Sequence, residues 1–280
     1  MIDPQSFIGR QEAAVDFADP ARFLRLAATL DDPTSPWAPG FLRPLGHWLC
    51  FRPDARMSML GPDGHPQRTG DGLLPNAGLP RRMWAGSRVS FHTDIPLGAN
   101  IRRTSTLISA TPKQGRSGNM LLLTVRHEIY VVGSERAALI EEQDIVYRSA
   151  TRPAASPVVM SDPVGRPGEI VDTITLDPVT LFRYSALTFN SHRIHYDRDY
   201  ARDVEGYRGL VVHGPLLATV LMDHFARHRP ACRVSYFSFR AISPAFDNEP
   251  IRLGLTSCEM TAQLRAIGPA GVTMTADVHL

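Results

Sequence analysis

The sequence predicts an α+β fold made of two similar units packed side by side. Each half of the chain reads as a helical or irregular part followed by a run of antiparallel strands. A stretch rich in turn formers and poor in periodicity, 151–168, reads as a linker between residues 1–150 and residues 169–280. In the second half, Leu216 to Ala226 is apolar on nearly every face, the composition of a helix buried all round. The pattern is a pseudo-repeat in which only the second unit keeps a clear central helix.

Taken in order, Asp19 to Leu30 predicts a short helix, with Asp19 as N-cap, Pro20 at the first position and apolar residues on a 3.6 period. Between Asp31 and Pro80, nine prolines and seven glycines exclude regular elements. Trp37, Phe41, Trp48 and Phe51 nevertheless mark this region as packed, suited to be the wall or lid of a pocket. Four strands follow, at Arg88 to His92, Ala99 to Thr111, Met120 to Val131 and Ala137 to Tyr147. The second half opens with a strand from Glu169 to Thr175 and a capped short helix from Asp177 to Tyr184. After the buried helix come strands at Arg233 to Ile242, Pro250 to Met260, Gln263 to Ala266 and Gly271 to His279.

With 280 residues, 43% hydrophobic and 21% charged, the chain has a globular composition. A net charge of +2 with scattered arginines gives no basic stripe, so neither nucleic acid nor an anionic membrane is expected as a partner. A small anionic ligand is compatible. No apolar run approaches the ~20 residues of a membrane span, and no basic-then-apolar leader opens the sequence, so the cytoplasm is the expected compartment. Cys50, Cys232 and Cys258 lie too far apart for a disulfide framework or a CxxC pair and read as buried small hydrophobes. Lys113 is the only lysine and sits in a polar loop, a poor Schiff-base candidate. No phosphate-binding glycine motif follows a strand.

The chemistry concentrates between Tyr184 and Pro215, where His192, His195 and His213 join Asn190 and Asp197. Gly214 and Pro215 open the buried helix, whose free N–H groups and dipole favour negative charge at its entrance. That layout suits a developing oxyanion. His195 titrates near neutrality and is the candidate base, His192 reads as a packing residue, and His213 either touches the ligand or positions backbone. Arg193 and Arg82 suit a bidentate grip on an anionic group; Arg193 alternatively pairs with Asp197 or Asp199, and Arg82, like Arg81, with solvent. Trp84, with Trp37 and Trp48, is core or ligand wall. His192-x-x-His195 with Asp197 raises a metal reading, but no third His or Cys stands at a firm spacing, so no metal is expected.

The segment Ala186-Leu-Thr-Phe-Asn-Ser-His-Arg-Ile-His-Tyr-Asp197, followed by Gly206-Tyr-Arg-Gly-Leu-Val-Val-His-Gly-Pro-Leu216, resembles the MaoC-like, hotdog-fold hydratases and dehydratases. Within them it is most similar to the branch of mesaconyl-C4-CoA (3-methylfumaryl-CoA) hydratase, itaconyl-CoA hydratase and the type 2 3-hydroxyacyl-thioester dehydratases. The likeness extends to Gly46-His-Trp48, Gly61-Pro-Asp-Gly-His65, Leu79-Pro-Arg-Arg-Met-Trp-Ala-Gly86 and Glu141-Glu-Gln-Asp-Ile-Val-Tyr-Arg148.

This resemblance implies a double hotdog, two antiparallel sheets wrapping a central helix, with the helix of the first half degenerate. It further implies a homodimer and a lyase acting on an acyl-CoA, with CoA part of the substrate and no cofactor. In the broader family's motif of Asp, any residue, Asn, Pro, aliphatic, His, His195 matches the catalytic His, whereas Asn190 replaces Asp, His192 Asn and Arg193 Pro. An amide orients water by hydrogen bonds but carries no titrating proton. His195 as base, Asn190 as water holder and Gly214 N–H as oxyanion donor are the implied roles. The proton donor is open among His195, Asp197, His192, Glu141 and Glu142. The expected reaction is hydration of a branched C4 to C5 dicarboxyl-CoA, or its reverse. Dehydration in fatty-acid synthesis, thioester hydrolysis and non-catalytic acyl-CoA binding are the rivals.

Overall fold

A computed structural model describes residues 3–32, 36–68, 70–115, 118–149, 165–230 and 232–280. The first half comprises β1 (Gln11–Phe17), α1 (Pro20–Thr29), β2 (Arg81–Phe91), β3 (Asn100–Gly115), β4 (Gly118–Val131) and β5 (Leu139–Arg148). The second comprises β6 (Ile170–Thr175), α2 (Pro178–Thr188), α3 (Gly214–His228), β7 (Tyr236–Ala241), β8 (Pro250–Ser257), β9 (Thr261–Gly268) and β10 (Gly271–His279). Most of the expected linker lies outside the described residues.

All ten strands join one antiparallel sheet in the order β1-β3-β4-β5-β2-β7-β10-β9-β8-β6. Read from its two ends, the order repeats: first, third, fourth, fifth and second strand of each half. The two sheets expected are therefore continuous, joined where Gly86 to Ser90 of β2 pairs with Tyr236 to Arg240 of β7. Gly86 permits that seam, since a Cβ there would lie 2.4 Å from the Phe239 carbonyl oxygen. Beside it, between Trp84 and Gly86, β2 carries a register shift.

β1 and the first part of β2 escaped sequence reading. β1 is an edge strand whose residues are mostly exposed, so burial imposes no alternation on them. In β2, Arg81 and Arg82 and the bulge interrupt the period that marks the rest.

Both predicted N-caps form. Asp19 accepts from Ala21 N at 2.9 Å, and Asp177 accepts from Thr180 N at 2.8 Å, each followed by Pro at the first turn. α1 packs on α2. Every residue of α3 from Leu216 to Ala226 is buried, against β8, β9 and β10. Each such Leu or Phe contributes roughly 1.5–3 kcal/mol by leaving water. In the first half, a single 3-10 turn, Gly46–Leu49, is the only helical element between α1 and Arg56 among the described residues. The irregular region reaches across to α3, where Arg43 pairs with buried Asp223 and the Trp37 indole N–H donates to the same carboxylate at 2.9 Å.

Of the cysteines expected to be buried, Cys50 is buried, Cys232 is intermediate and Cys258 exposed. Cys258 follows β8 in a turn, where no core face exists to hide it. No helix among the described residues is long and apolar enough to cross a membrane.

Candidate active site

α2 ends on Phe189 in the left-handed conformation, φ 53°, which turns the chain sharply into the histidine stretch. Asn190 N donates to Ser185 O at 2.8 Å and its Oδ1 accepts from His192 N at 3.1 Å, a side-chain-closed turn. Arg193–His195 form one 3-10 turn that directs His195 inward. There His195 Nδ1 meets the Val211 carbonyl at 2.7 Å. A carbonyl can only accept, so Nδ1 carries the proton and Nε2 holds a lone pair. Burial pushes the His195 pKa down to about 4 against the Val211 bond, which raises it. At neutral pH the ring is an uncharged base.

His213 stacks on His195 at 3.6 Å with an 18° interplanar angle. Its Nε2 lies 2.8 Å from Ser185 Oγ, and burial holds its pKa well below the ordinary value. The next residue, Gly214, starts α3. No side chain caps this helix, so its first-turn N–H groups are available beside the His195–His213 stack.

The first half delivers a second set of groups. Gly64, at φ +87°, passes so close to the histidine loop that a Cβ would lie 1.9 Å from Ser191 O. Ser191 Oγ donates to Gly64 O at 2.6 Å, and Arg193 N donates to Asp63 O at 2.9 Å. This seating brings the His65 ring 4.1 Å from that of His192, itself edge-on to His195 at 5.4 Å. Asp63 Oδ2 orients His65 through Nδ1 at 3.0 Å. Burial lowers the pKa of His65 and, more strongly, that of His192.

A cavity of about 340 Å³ is walled mostly by the first half, including Arg82, Trp84, His47, His127 and Glu141, and reaches Thr188 of α2, two residues before Asn190. Burial chiefly, and the Arg82 charge with it, lowers the pKa of both His65 and His192. Arg82 forms no ion pair among the described residues; burial lowers its pKa and the Tyr147 and Asp63 groups act against that, so the guanidinium suits an anionic ligand. Trp84 is fixed by its indole N–H, which donates to Gly86 O at 3.0 Å, and it packs edge-on to Trp48. Glu141 is buried at 3% exposure and receives bonds from His47, Trp48 and Ser87. Burial raises its pKa, but the His47 hydrogen bond and the other bonds and charges outweigh this and hold it at about 2.

Of the residues expected at the site, His195, His213, Gly214 and Asn190 gather at the histidine turn and the start of α3, whereas Arg82 and Trp84 line the cavity. Asn190 has spent its Oδ1 on the turn, so only its amide N–H₂ could serve a ligand. Arg193 goes elsewhere: its Nη2 pairs with Asp197 at 2.8 Å, its Nη1 donates to Pro62 O at 3.0 Å, and it lies over the Tyr200 ring. Asp197 is thereby withdrawn from both the proton-donor and metal readings, and Glu142 pairs with Arg88. The metal-capable groups among the described residues are instead Asp63, His65 and His192, and, on the far side of α3, Asp172, His224 and His228. His65 and Asp63 were missed as site residues. Their Gly-Pro-Asp-Gly-His turn was visible, but its contact with residues over a hundred positions away was not.

The profile of the family described as hydroxyacyl-thioester dehydratase type 2 matches residues 45–247. The chain belongs to this family. It is 44% identical over 280 residues to the mesaconyl-C(4)-CoA hydratase of Chloroflexus aurantiacus, covering 99% of this chain and 98% of that protein. A solved MaoC-like dehydratase superposes with a TM-score of 0.71 at 14% identity, covering 99% of this chain and 100% of the other. A Mycobacterium tuberculosis protein described as a double hotdog superposes with a TM-score of 0.56 at 12% identity, covering 97% of this chain and 96% of the other. The fold is therefore the double hotdog, and this dehydratase-family chain is a hydro-lyase. The family match includes both the histidine turn and the Gly61–His65 loop seated on it.

Proposed function

We propose that the protein reversibly hydrates a 2-enoyl-CoA thioester whose acyl part bears a second carboxylate, a branched C4 to C5 dicarboxyl-CoA such as mesaconyl-C4-CoA or itaconyl-CoA. The observation that carries the substrate class is Arg82, a guanidinium without an ion pair among the described residues on the wall of a 340 Å³ cavity that reaches Thr188 at the end of α2. A fatty acyl chain would call for an apolar tunnel, and this cavity also presents Arg52, Arg68 and Arg103.

In this scheme His195 Nε2 takes a proton from water held by the Asn190 amide while the water oxygen bonds to the β-carbon. The carbon–carbon π pair shifts toward the thioester, and the oxyanion is met by Gly214 N–H at the start of α3. Protonated His195 then returns its proton to the α-carbon, which closes the cycle without the acid that Asn190 has replaced. No metal or redox cofactor enters these steps. We further assign the cytoplasm, in keeping with three free cysteines, and a homodimer. Exposed Ile170 and Val171 on edge strand β6 and exposed Phe182 and Phe189 along α2 support the dimer.

Arg82→Gln tests the substrate class. Losing a charged hydrogen-bonding partner removes about 1.5–3 kcal/mol, a rise in KM for mesaconyl-C4-CoA of roughly 10- to 150-fold, with KM for crotonyl-CoA unchanged. Equal effects on both substrates would show that Arg82 does not read the second carboxylate.

A further inference from the structure

We propose that Asp172, His224 and His228 form a binding site for one divalent transition-metal ion, with Zn²⁺ the ion their donor set suits. His224 and His228 are four residues apart on α3 and so share a face of the helix one turn apart. Their rings lie 4.8 Å apart at 73°. Strand β6 places Asp172 between them, with its Oδ2 3.0 Å from His224 Nδ1 and 3.0 Å from His228 Nε2. All three donor atoms fall within 4.8 Å of one another. A tetrahedral ion with bonds of about 2.0–2.2 Å holds its ligands roughly 3.3–3.5 Å apart, so on metal binding the two 3.0 Å contacts open slightly and the imidazole nitrogens, now within 4.8 Å, adjust toward that spacing.

Two imidazoles and one carboxylate suit Zn²⁺ and its neighbours in the first transition row rather than Ca²⁺ or Mg²⁺, which take oxygen. The site is reachable yet anchored. The Asp172 and His228 side chains are 49% and 30% exposed, whereas His224 is 1% exposed. A fourth position remains for water. The last turns of α3 add the negative end of the helix dipole, which favours a cation. His224 stands ten residues beyond Gly214, roughly 15 Å along the helix, so the ion would take no part in hydration. What it would do is mechanical. β6 is an edge strand paired only with β8, and the ion would fasten it to the buried helix.

The test uses the full chain stripped of metal, titrated with Zn²⁺ by calorimetry and with Co²⁺ followed by visible absorption. The expected result is one Zn²⁺ per chain at this site, tetrahedral cobalt bands, and a thermal midpoint raised by about 5–10 °C at a metal concentration 100 times Kd. His228→Ala and Asp172→Asn, at partly exposed positions, each abolish that uptake while circular dichroism stays unchanged. His192→Ala, which dismantles the other metal-capable group, retains it. No Zn²⁺ uptake by the parent, undiminished uptake by His228→Ala, or loss in His192→Ala alone would overturn the proposal and leave the cluster as a hydrogen-bonded clip.

Discussion

The two halves of the sheet share a strand order and differ in what fills them. In the second half, α3 packs on β8, β9 and β10 with eleven consecutive buried residues, and its first turn follows His213, which stacks on His195. In the first half, a single 3-10 turn brings His47 and Trp48 to a buried carboxylate, Glu141, and a cavity remains. A half with a buried helix gains rigidity and a dipole; a half without one gains room. In the proposed scheme the chemistry falls on the filled side and the ligand's space on the open side, with the β2–β7 seam and the Gly64 contact holding the two in register.

Replacing His195 by Ala strikes the filled half where it acts. Removal of a general base costs roughly 10²–10⁴-fold in kcat/KM, with folding unchanged by circular dichroism. The parent's pH profile sharpens the same point. If His195 is the base proposed above, it must be neutral to accept a proton; with its pKa pushed down to about 4, activity should be level near neutrality and fall as pH drops through about 4.

The tie between the halves is broken by Asp223→Ala, which leaves Arg43 buried without the Asp223 carboxylate and removes the Trp37 bond to it. Breaking a buried pair of this kind costs about 3–5 kcal/mol, measurable as a lower urea midpoint. A change confined to the surface range, below about 1 kcal/mol, would mean that the irregular region does not lean on α3.

Acid separates the two cores. The folded Glu141 carboxyl sits at about 2, below its ordinary 4.5, so the stability it contributes is present above 4.5 and is lost as pH falls from there toward 2. The loss is on the order of 3 kcal/mol, and Glu141→Gln should remove most of this pH dependence while lowering stability at neutral pH. A parent and variant with parallel stability curves over that range would show that the network around Glu141 does not hold the open half together.

α3 was legible because its apolar residues cover every face, and α1 and α2 because an Asp-Pro pair starts each. β1 was not, since an exposed edge strand is under no pressure to alternate. The functional side of the histidine turn was legible in part. His195 sits on its own short turn and meets Gly214 through the His213 ring stacked on it, whereas His65 arrives through a loop whose contact depends on Gly64 lacking a Cβ. Arg193 illustrates the opposite limit: a side chain adjacent to the site in sequence, yet claimed by Asp197 four residues later.

The most direct test of the account is the absorbance of the enoyl-thioester chromophore when the purified parent protein meets mesaconyl-C4-CoA, itaconyl-CoA, crotonyl-CoA or a long-chain 2-enoyl-CoA. The account predicts saturable loss of absorbance without release of free thiol, with the highest kcat/KM for a dicarboxyl substrate. Thiol release, or no change with any of the four, would contradict it.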